Sequence, residues 1–293
     1  MPLVTIVIPS YNHELFIADA IQSVIDQSYD DIELIIIDDG SVDESVKVIE
    51  SFIDKCQNRF KNFKFVTREN KGLPRTLNEA LEYAAGKYFA MLSSDDILLK
   101  EKTSKLVSYL EKHEPIAGIF AGIHLIDENR KRSRTLVPKE GIWNFNDILN
   151  KKCSLYAPTM MLRTSALKEV GGYWEDVNLE DRAILLKLSY SGFKFATIPD
   201  VLANYRWHQN NNVRNTLKMT ESRLSILNKF PQTKEIRIAK SKALHGAARE
   251  FAFKSKSLGW RSFYQAIKIY NLSILSKASL RAIKQLIIGR TKT

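Results

Sequence analysis

The sequence predicts an α/β protein in which a mostly parallel sheet is flanked by helices and followed by a helical extension. Three observations predict this class. Short apolar runs alternate with amphipathic segments over the first hundred residues, as in the βαβ units of a parallel sheet. Two of these runs end in adjacent carboxylates. After residue 216 the segments have helical periodicity and none has the pattern of a strand.

The first hundred residues predict four strands connected by three helices. The predicted strands are residues 4–8, 32–37, 63–67 and 88–92, and the predicted helices are residues 14–26, 41–55 and 72–85. Ser41 and Glu44 have the spacing of a capping box at the start of the second helix. Pro74 lies early in the third helix, where its missing N–H costs nothing.

Residues 101–215 have a more mixed pattern. Helices are predicted at residues 101–113, 143–150 and 180–191, and strands at residues 116–126, 157–163, 195–198 and 201–205. A basic loop at residues 128–134 and a glycine turn at residues 171–173 interrupt this series. Pro199 and Asp200 predict a further turn between the last two strands.

Composition is that of an ordinary globular protein. The chain has 293 residues, 44% of them hydrophobic and 26% charged, which is enough for one large or two modest domains. No apolar run approaches the roughly 20 residues that span a bilayer. The first residues have a strand pattern and not that of a signal peptide. Cys56 and Cys153 have no partner spacing, so we expect a cytoplasmic protein.

The formal net charge of +11 is concentrated near the carboxyl end. Residues 234–293 contain 14 basic and two acidic residues, whereas residues 1–233 contain 30 basic and 31 acidic ones. This asymmetry indicates a polyanionic partner, either a membrane or a nucleic acid. No zinc-finger or RNA-binding motif occurs, and long aliphatic residues separate the charges, so we expect a membrane and no nucleic acid.

Three carboxylate pairs fall at strand ends or helix starts: Asp38/Asp39, Asp95/Asp96 and Glu180/Asp181. Ligands of open α/β sheets bind at the carboxyl edge of the strands. Paired carboxylates there are hard oxygen ligands, suited to Mg²⁺ or Mn²⁺ carrying a diphosphate. Each pair alone can equally cap a helix or complement its dipole. The three pairs together favour a site that holds a metal and activates a hydroxyl.

Five motifs, in their order and spacing, resemble those of family 2 inverting glycosyltransferases of the GT-A fold. They are Ile8-Pro9-Ser10-Tyr11-Asn12, Ile37-Asp38-Asp39-Gly40-Ser41, Asn70-Lys71-Gly72, Leu92-Ser93-Ser94-Asp95-Asp96 and Leu179-Glu180-Asp181. The resemblance implies a Rossmann-like catalytic domain over residues 1–215. Its nucleotide-binding half would be residues 1–100 and its acceptor-side half residues 101–215. Residues 216–293, outside the resemblance, form the basic helical region.

The resemblance implies a role for each residue that binds the nucleotide. Pro9 and Tyr11 would lie against it, with Tyr11 stacked on the base. Asp39 would accept the base N–H, which suits a uracil or thymine ring. Asp95 would meet the ribose. Arg75 is a further candidate to contact the base or the diphosphate.

The same resemblance implies which residues bind the metal and which residue acts as the general base. Asp96 would bind Mn²⁺ or Mg²⁺ on the diphosphate, and His208 belongs to a segment that can reach the metal in polysaccharide-building relatives. Asp181, beside Glu180, would be the general base. Many relatives have Asp where this chain has Ser93, a departure that leaves the Asp95/Asp96 pair intact.

The implied reaction moves a sugar from a UDP- or dTDP-sugar donor to a hydroxyl of a saccharide, with inversion of the anomeric centre. The implied acceptor is a lipid-linked saccharide of surface polysaccharide synthesis, such as O-antigen or capsule. Two alternatives stay open. A nucleotidyltransferase shares the carboxylate–metal chemistry but usually has a Gly- and Lys/Arg-rich loop after its first strand. The other alternative is an inactive GT-A scaffold.

The basic region predicts peripheral attachment to the inner face of an anionic membrane. Its basic residues include Arg237, Lys240, Lys242, Lys254, Lys256, Arg261 and Lys268. In the last helix, the composition of an interfacial helix is given by Leu280, Ile283, Leu286 and Ile287 beside Arg281 and Lys284. The alternative is a helical bundle that packs on the catalytic domain through Trp260, Phe263, Tyr264, Ile267 and Tyr270.

Overall fold

The computed structural model describes residues 1–207 and 216–288. The chain divides into two compact units. Unit 1 comprises Met1–Asp176 and Glu180–Gln209, and unit 2 comprises Val177–Leu179 and Asn210–Thr293.

Unit 1 begins with a parallel sheet. Its strands are β1 (Val4–Ser10), β2 (Ile32–Asp38), β3 (Asn62–Thr67) and β4 (Tyr88–Met91), and its helices are α1 (Ile17–Ile25), α2 (Ser45–Glu50), α3 (Ile53–Arg59) and α4 (Leu73–Tyr83). Strand β1 pairs in parallel with both β2 and β4. The chain runs from β1 outward to β2 and β3 and then returns to the other side of β1. The carboxyl ends of β1 and β4 therefore flank a topological switch point, where α/β proteins bind ligands.

Burial explains why these segments form their elements. Every residue of β2 is buried, and β1 is buried along nearly its whole length, as expected for strands covered on both faces. Helix α1 buries four apolar residues that recur at helical spacing, namely Ile17, Ala20, Ile21 and Val24. The spacing of these residues in the sequence indicates the same face.

The rest of unit 1 extends the sheet. It comprises β5 (Ile97–Leu98), α5 (Lys102–Lys112), β6 (Ile116–Ile126), β7 (Arg132–Leu136), β8 (Gly141–Trp143), α6 (Phe145–Leu149), β9 (Met161–Arg163), α7 (Thr164–Glu169), α8 (Glu180–Tyr190) and β10 (Lys194–Arg206). The strand order is β3-β2-β1-β4-β9-β6-β10-β5, with β7 paired to β6 and β8 to β10. Strands β6 and β10 pair in parallel over a long register, whereas the antiparallel pairings of β5, β7, β8 and β9 are short.

The predicted capping box at Ser41 is wrong. The Ser41 hydroxyl donates to Asp38 Oδ2 at 2.6 Å, and the Ser41 N–H donates to Asp38 Oδ1 at 2.8 Å. The side chain is thus engaged with the preceding strand end and cannot cap a helix. Helix α2 begins four residues later, at Ser45, and a break after Glu50 separates it from α3.

Several boundaries in the second half of unit 1 also differ from the prediction. The turn expected at Pro199 and Asp200 lies inside β10, where a register shift between Thr197 and Val201 accommodates a residue that lacks an N–H. The basic loop contains β7, and the predicted helix 143–150 is the end of β8 followed by α6. The predicted strand 157–163 is a 3-10 turn (Ala157–Thr159) followed by β9.

Residues 216–288 of unit 2 form helices joined by short turns. They comprise α9 (Thr216–Asn228), α10 (Lys234–Lys254), α11 (Lys256–Ile269), a 3-10 turn (Asn271–Leu275) and α12 (Lys277–Ile288). The last three helices share a core of Ala248, Ala252, Phe263, Ala282 and Leu286. Within residues 1–207 and 216–288, no helix combines the length and apolar character that crossing a membrane requires.

The predicted lipid-facing stripe on α12 is wrong for Ile283 and Leu286, whereas Leu280 and Ile287 are 59% and 65% exposed. Leu286 is buried in the core of unit 2 and Ile283 packs against it, because α12 uses this face to contact α10 and α11. Lys240, predicted to lie on the basic surface, is also buried, and its Nζ bonds to the side chains of Asn228 and Gln232. Phe263, predicted to pack on the catalytic domain, lies in the core of unit 2, and Tyr264 is exposed.

Candidate active site

The loops after β1 and β2 are joined at the switch point by hydrogen bonds in both directions. The Asn12 N–H donates to Ser41 Oγ, and the Val42 N–H donates to Asn12 Oδ1, both at 2.9 Å. His13 Nδ1 lies 2.6 Å from Ser94 Oγ, which connects the loop after β1 to the turn after β4. These bonds hold together the loops that follow β1, β2 and β4. Tyr11 remains 49% exposed there.

Asp39 is buried where the loops after β2 and β3 meet. Its Oδ1 accepts the N–H of Lys71 at 2.8 Å, and its Oδ2 accepts the N–H of Gly72 at 2.9 Å. The guanidinium of Arg68 forms an ion pair with the same carboxylate and with Glu79. The Asn70-Lys71-Gly72 motif therefore holds Asp39 in a fixed orientation at the end of β1, where the Asp39 N–H donates to the backbone oxygen of Ser10 at 2.8 Å.

Gly40 allows the loop after β2 to approach the loop after β3. Its φ is +79°, and a Cβ at this position would lie 2.8 Å from the backbone nitrogen of Asn70. We expect Gly40→Ala to reduce the free energy of unfolding by about 1–3 kcal/mol, since the left-handed backbone is strained and the neighbouring backbone cannot move aside. Urea unfolding measures this loss.

The matched control for Gly40 is Gly171→Ala. Gly171 has a similar φ of +70°, but a Cβ there meets nothing within 4 Å. Its substitution adds backbone strain without the steric overlap, so the loss of stability should be smaller. Equal losses in the two variants would contradict the idea that close approach to Asn70 constrains Gly40.

Asp95 and Asp96 are buried in the turn after β4. Asp96 Oδ1 accepts the N–H of Arg206 at 2.9 Å, while Asp96 Oδ2 has no hydrogen-bond partner among the described residues. Burial and the charge of Asp95 raise the pKa of Asp96 well above its ordinary value, although Arg206 acts in the opposite direction. A buried carboxylate oxygen without a partner is unfavourable unless a proton or a cation neutralises it.

Arg206 is a site residue that the sequence analysis did not identify. It ends β10 and is fully buried. Its Nε donates to the backbone oxygen of Asp95 at 2.8 Å, and its terminal nitrogen pairs with Asp19 Oδ2 at 2.8 Å. The guanidinium also lies 4.8 Å from the ring centroid of Phe16. Arg206 thus connects α1 and β10 to the Asp95–Asp96 turn.

The carboxylates after β4 fit a divalent cation that also binds the substrate. In the described part of the chain, no three His, Cys, Asp or Glu side chains form a metal site by themselves. Mg²⁺ in phosphate-binding enzymes is usually held by one or two carboxylates plus substrate phosphates and water, so such a cage is not needed. The unpartnered Asp96 Oδ2 beside Asp95 supplies donors of this kind. His208, the other predicted ligand, lies outside the described residues.

Glu180 and Asp181 form a second carboxylate pair in the first turn of α8. Burial, and then the charge of Asp181, raises the pKa of Glu180 to about 8. Burial also raises the pKa of Asp181, against the opposing effect of Arg182. A carboxylate with a raised pKa is better matched to taking a proton from a hydroxyl near neutral pH.

The segment that precedes α8 is tied to α4. Asn78 on α4 donates from Nδ2 to the backbone oxygen of Tyr173 at 3.0 Å and accepts the N–H of Tyr173 at 2.8 Å. Arg75, also on α4, forms an ion pair with Glu175 at 2.9 Å. Helix α4 begins at the Gly72 that binds Asp39, so one helix connects the Asp39 site to the chain leading into Glu180.

The family model described as "Glycosyl transferase family 2" matches residues 5–171 of this chain. That range includes Pro9, Tyr11, Asp39 and the Asp95–Asp96 turn. It ends before the Glu180/Asp181 pair.

Two curated relatives align with most of this chain. An uncharacterized glycosyltransferase of Haemophilus influenzae is 32% identical over 219 residues, which are 71% of this chain and 67% of the relative. WfgD of Escherichia coli is 28% identical over 238 residues, 80% of this chain and 89% of the relative. WfgD is a UDP-Glc:α-D-GlcNAc-diphosphoundecaprenol β-1,3-glucosyltransferase.

Among solved structures, residues 1–349 of S. aureus TarS in complex with UDP-GlcNAc superpose with a TM-score of 0.69. The match covers 97% of this chain and 89% of the TarS chain at 18% identity. At this level of identity, the similarity shows the fold alone. It confirms the predicted GT-A fold with its helical carboxyl-terminal extension.

Proposed function

The chain belongs to glycosyl transferase family 2, and from this membership we propose that it moves a sugar from a nucleoside diphosphate donor to a hydroxyl of a saccharide acceptor with inversion. The observation that carries the proposal is the buried Asp95–Asp96 pair at the switch point, with one carboxylate oxygen unpartnered among the described residues. Such a pair suits a donor whose leaving group is a metal-bound diphosphate.

The nucleotide would bind between the loops after β1 and β2. Tyr11 is exposed in the loop after β1 and can stack on a base, and Pro9 near the end of β1 would also lie against the nucleotide. An ionised carboxylate offers about four acceptor sites, and three of those on Asp39 are used by Arg68, Lys71 and Gly72. The remaining Oδ2 site would accept a base N–H, so the proposal is a UDP- or dTDP-sugar.

The diphosphate would lie over the turn after β4. Asp95 would bind the ribose, and Asp96 would hold Mn²⁺ or Mg²⁺, with His208 as a further candidate ligand. When bound, the divalent cation stabilises the charge that develops on the departing diphosphate. Arg206 orients the turn through the backbone oxygen of Asp95 and Oδ1 of Asp96.

The proton of the acceptor hydroxyl would pass to Asp181. As the acceptor oxygen bonds to the anomeric carbon, the bond from that carbon to the diphosphate oxygen breaks on the opposite face. Asp181 accepts the hydroxyl proton during this step. Glu180 beside it keeps a proton near neutral pH because its pKa is about 8. One base is sufficient, and the anomeric configuration inverts.

The acceptor is proposed to be lipid-linked. WfgD, whose name specifies a diphosphoundecaprenol acceptor, aligns with 80% of this chain. We therefore place the protein in surface polysaccharide synthesis, such as O-antigen or capsule, at the inner face of the cell membrane. An enzyme there needs a surface that meets anionic lipid.

That surface is proposed to be the 3-10 turn of unit 2 with its basic neighbours. Leu272 and Leu275 are 59% and 79% exposed, and Ile274 is also exposed. Lys268 precedes this turn and Lys277 follows it, both exposed. Each basic residue near an anionic surface contributes about 1 kcal/mol of attraction, and burial of the three aliphatic side chains adds to it.

We expect the double variant Leu272→Gln and Leu275→Gln to bind phosphatidylglycerol vesicles less than wild type at low salt. Co-sedimentation measures the bound fraction, and wild-type binding should fall at high salt. Leu15→Gln is the matched control, since Leu15 is exposed on unit 1. Truncation after residue 276 would be unsuitable because it removes Ala282 and Leu286 from the core of unit 2. Equal binding by the double variant and wild type would contradict this surface.

A panel of nucleotide sugars tests the proposed reaction. The purified protein is incubated with each sugar nucleotide, a divalent cation and a polyprenyl-diphosphate saccharide, and both free nucleotide and glycosylated lipid are measured. We expect one UDP- or dTDP-sugar to yield UDP or dTDP and a lipid extended by one sugar in equal amounts. Release of pyrophosphate from a nucleoside triphosphate would instead indicate a nucleotidyltransferase. Absence of turnover with every donor would indicate an inactive scaffold.

A further inference from the structure

Arg68, the first residue after β3, is held by partners in the loop after β2 and on α4. Its side chain is 13% exposed. The guanidinium pairs with Asp39, and its Nε donates to Glu79 Oε2 at 2.8 Å. It also donates to Thr76 Oγ1 and to the backbone oxygen of Glu69, both at 2.9 Å. Because Thr76 and Glu79 belong to α4, protein groups alone fix this positive charge beside Asp39.

Every hydrogen-bond partner of the Asp39 carboxylate among the described residues is a donor. The N–H groups of Lys71 and Gly72 donate to Oδ1 and Oδ2, and Arg68 donates to Oδ1. Arg68 is the charged member of the three, and a guanidinium does not lose its proton in a protein. The carboxylate beside it is therefore an acceptor, and its remaining Oδ2 site can only accept as well.

An acceptor at this position distinguishes pyrimidine bases of the same size. Uracil and thymine carry a hydrogen on ring nitrogen N3, which donates, whereas N3 of cytosine has a lone pair and accepts. Cytosine would place two acceptors against each other and leave both without a partner. Sites that hydrogen-bond a substrate N–H reject an analogue that lacks it, because the buried groups are then unpaired.

We propose that Arg68 is a positioning residue that sets the base specificity of the enzyme: it keeps Asp39 an acceptor and so excludes cytidine diphosphate donors. This inference rests on the proposed function, which places Asp39 against the base. Without Arg68, Asp39 and Glu79 lose the cation that they share, and a proton would offset the repulsion between them. A protonated Asp39 donates a hydrogen bond, which N3 of cytosine accepts and the N3–H of uracil does not.

The test compares two pairs of nucleotides, UDP with CDP and dTDP with dCDP. The members of a pair share the sugar, the diphosphate and the ring size, so the ratio of their affinities reports on the base alone. Calorimetry in Mn²⁺ gives the ratio for wild type and for Arg68→Met. We expect wild type to prefer UDP or dTDP by roughly 100-fold or more. In Arg68→Met this preference should fall by about 10- to 100-fold.

A merely structural role gives a different result. Loss of packing around Asp39 would weaken both members of a pair by the same factor, and an unchanged ratio in Arg68→Met overturns the inference. Arg59→Met is the matched control. Arg59 is 22% exposed and donates to three backbone oxygens between residues 25 and 29. Its variant should lower the melting temperature and keep the wild-type ratio.

A second variant keeps the test decisive if Arg68→Met does not fold. The double variant Arg68→Met and Glu79→Gln removes one of the two carboxylates that the single variant leaves without a cation, so its folding is less affected. The same ratio is measured. A fall of about tenfold or more supports the inference, and the wild-type ratio overturns it.

Asp39→Asn separates failure of this inference from failure of the proposed function. If wild type binds both members of each pair equally, Asp39 does not accept a base N–H, and both the proposed base recognition and the role of Arg68 fall. If wild type prefers UDP or dTDP and Asp39→Asn loses this preference while Arg68→Met keeps it, only the role of Arg68 is overturned.

Discussion

Asp181→Asn is expected to lower the rate of sugar transfer by roughly 10²–10⁴-fold, the usual scale for loss of a general base. Asparagine keeps the shape of the side chain and can still accept the N–H of Arg182, which Asp181 Oδ1 accepts at 2.6 Å. It cannot take a proton from the acceptor hydroxyl. Affinity for the nucleotide sugar should remain close to wild type, because the proposed role of Asp181 is toward the acceptor hydroxyl and not toward the nucleotide. Steady-state transfer rates and calorimetric donor binding measure the two quantities.

The matched control is Asp54→Asn in the first turn of α3. Asp54 is an exposed acid at the same helical position as Asp181, where it complements the helix dipole and does nothing in transfer. This variant should retain wild-type turnover. The companion variant is Glu180→Gln. If turnover survives Asp181→Asn and is abolished by Glu180→Gln, the base is Glu180 and the assignment within the pair is wrong.

Elements with a strong local pattern could be predicted from the sequence. The predicted strand 116–126 coincides with β6, and the apolar face of α1 is buried as its spacing indicates. These segments are specified by the pattern of their apolar residues, which is a property of adjacent residues in the sequence. The same reasoning applies to the family motifs, which lie in short contiguous stretches.

Elements that depend on distant partners could not be predicted. Strand β7 is largely exposed and polar, and it is a strand only because it pairs with β6. Ser41 has the spacing of a cap, but its hydroxyl is engaged by Asp38 and its Oγ accepts the N–H of Asn12. Tertiary bonds thus override a local preference. Nothing in the local sequence distinguishes these outcomes.

The site residues that were missed act across long separations in the chain. Arg206 and Asp96 are 110 residues apart, and Asn78 and Tyr173 are 95 residues apart. The one local signal for Arg206 is an arginine at the end of an otherwise apolar strand, which indicates a buried partner. Lys240 shows the opposite case. Its charge was expected at the surface, but the side chain is buried and its Nζ bonds to polar side chains on α9 and in the loop after it.

Asp96→Asn is expected to abolish metal-dependent nucleotide binding. The new side chain can still accept the N–H of Arg206 through Oδ1, while the unpartnered Oδ2 is replaced by an amide group that is not a ligand for a hard cation. Calorimetric titration with UDP or dTDP, in Mn²⁺ and in EDTA, measures the difference. Glu33→Gln is the matched control, since Glu33 is a buried carboxylate near the opposite end of β2 and bonds to Thr5 and Ala85.

The same variant should change how stability depends on pH in the metal-free protein. The pKa of Asp96 is raised in the folded state, so the contribution of this group to stability is greatest below its unfolded pKa, about 4, and is lost as pH rises through the folded value. Asparagine has no such titration. Asp96→Asn should therefore melt at a higher temperature than metal-free wild type at neutral pH, and Mn²⁺ should raise the melting temperature of wild type alone. Equal stabilisation of both proteins by Mn²⁺ would show that Asp96 does not hold the cation.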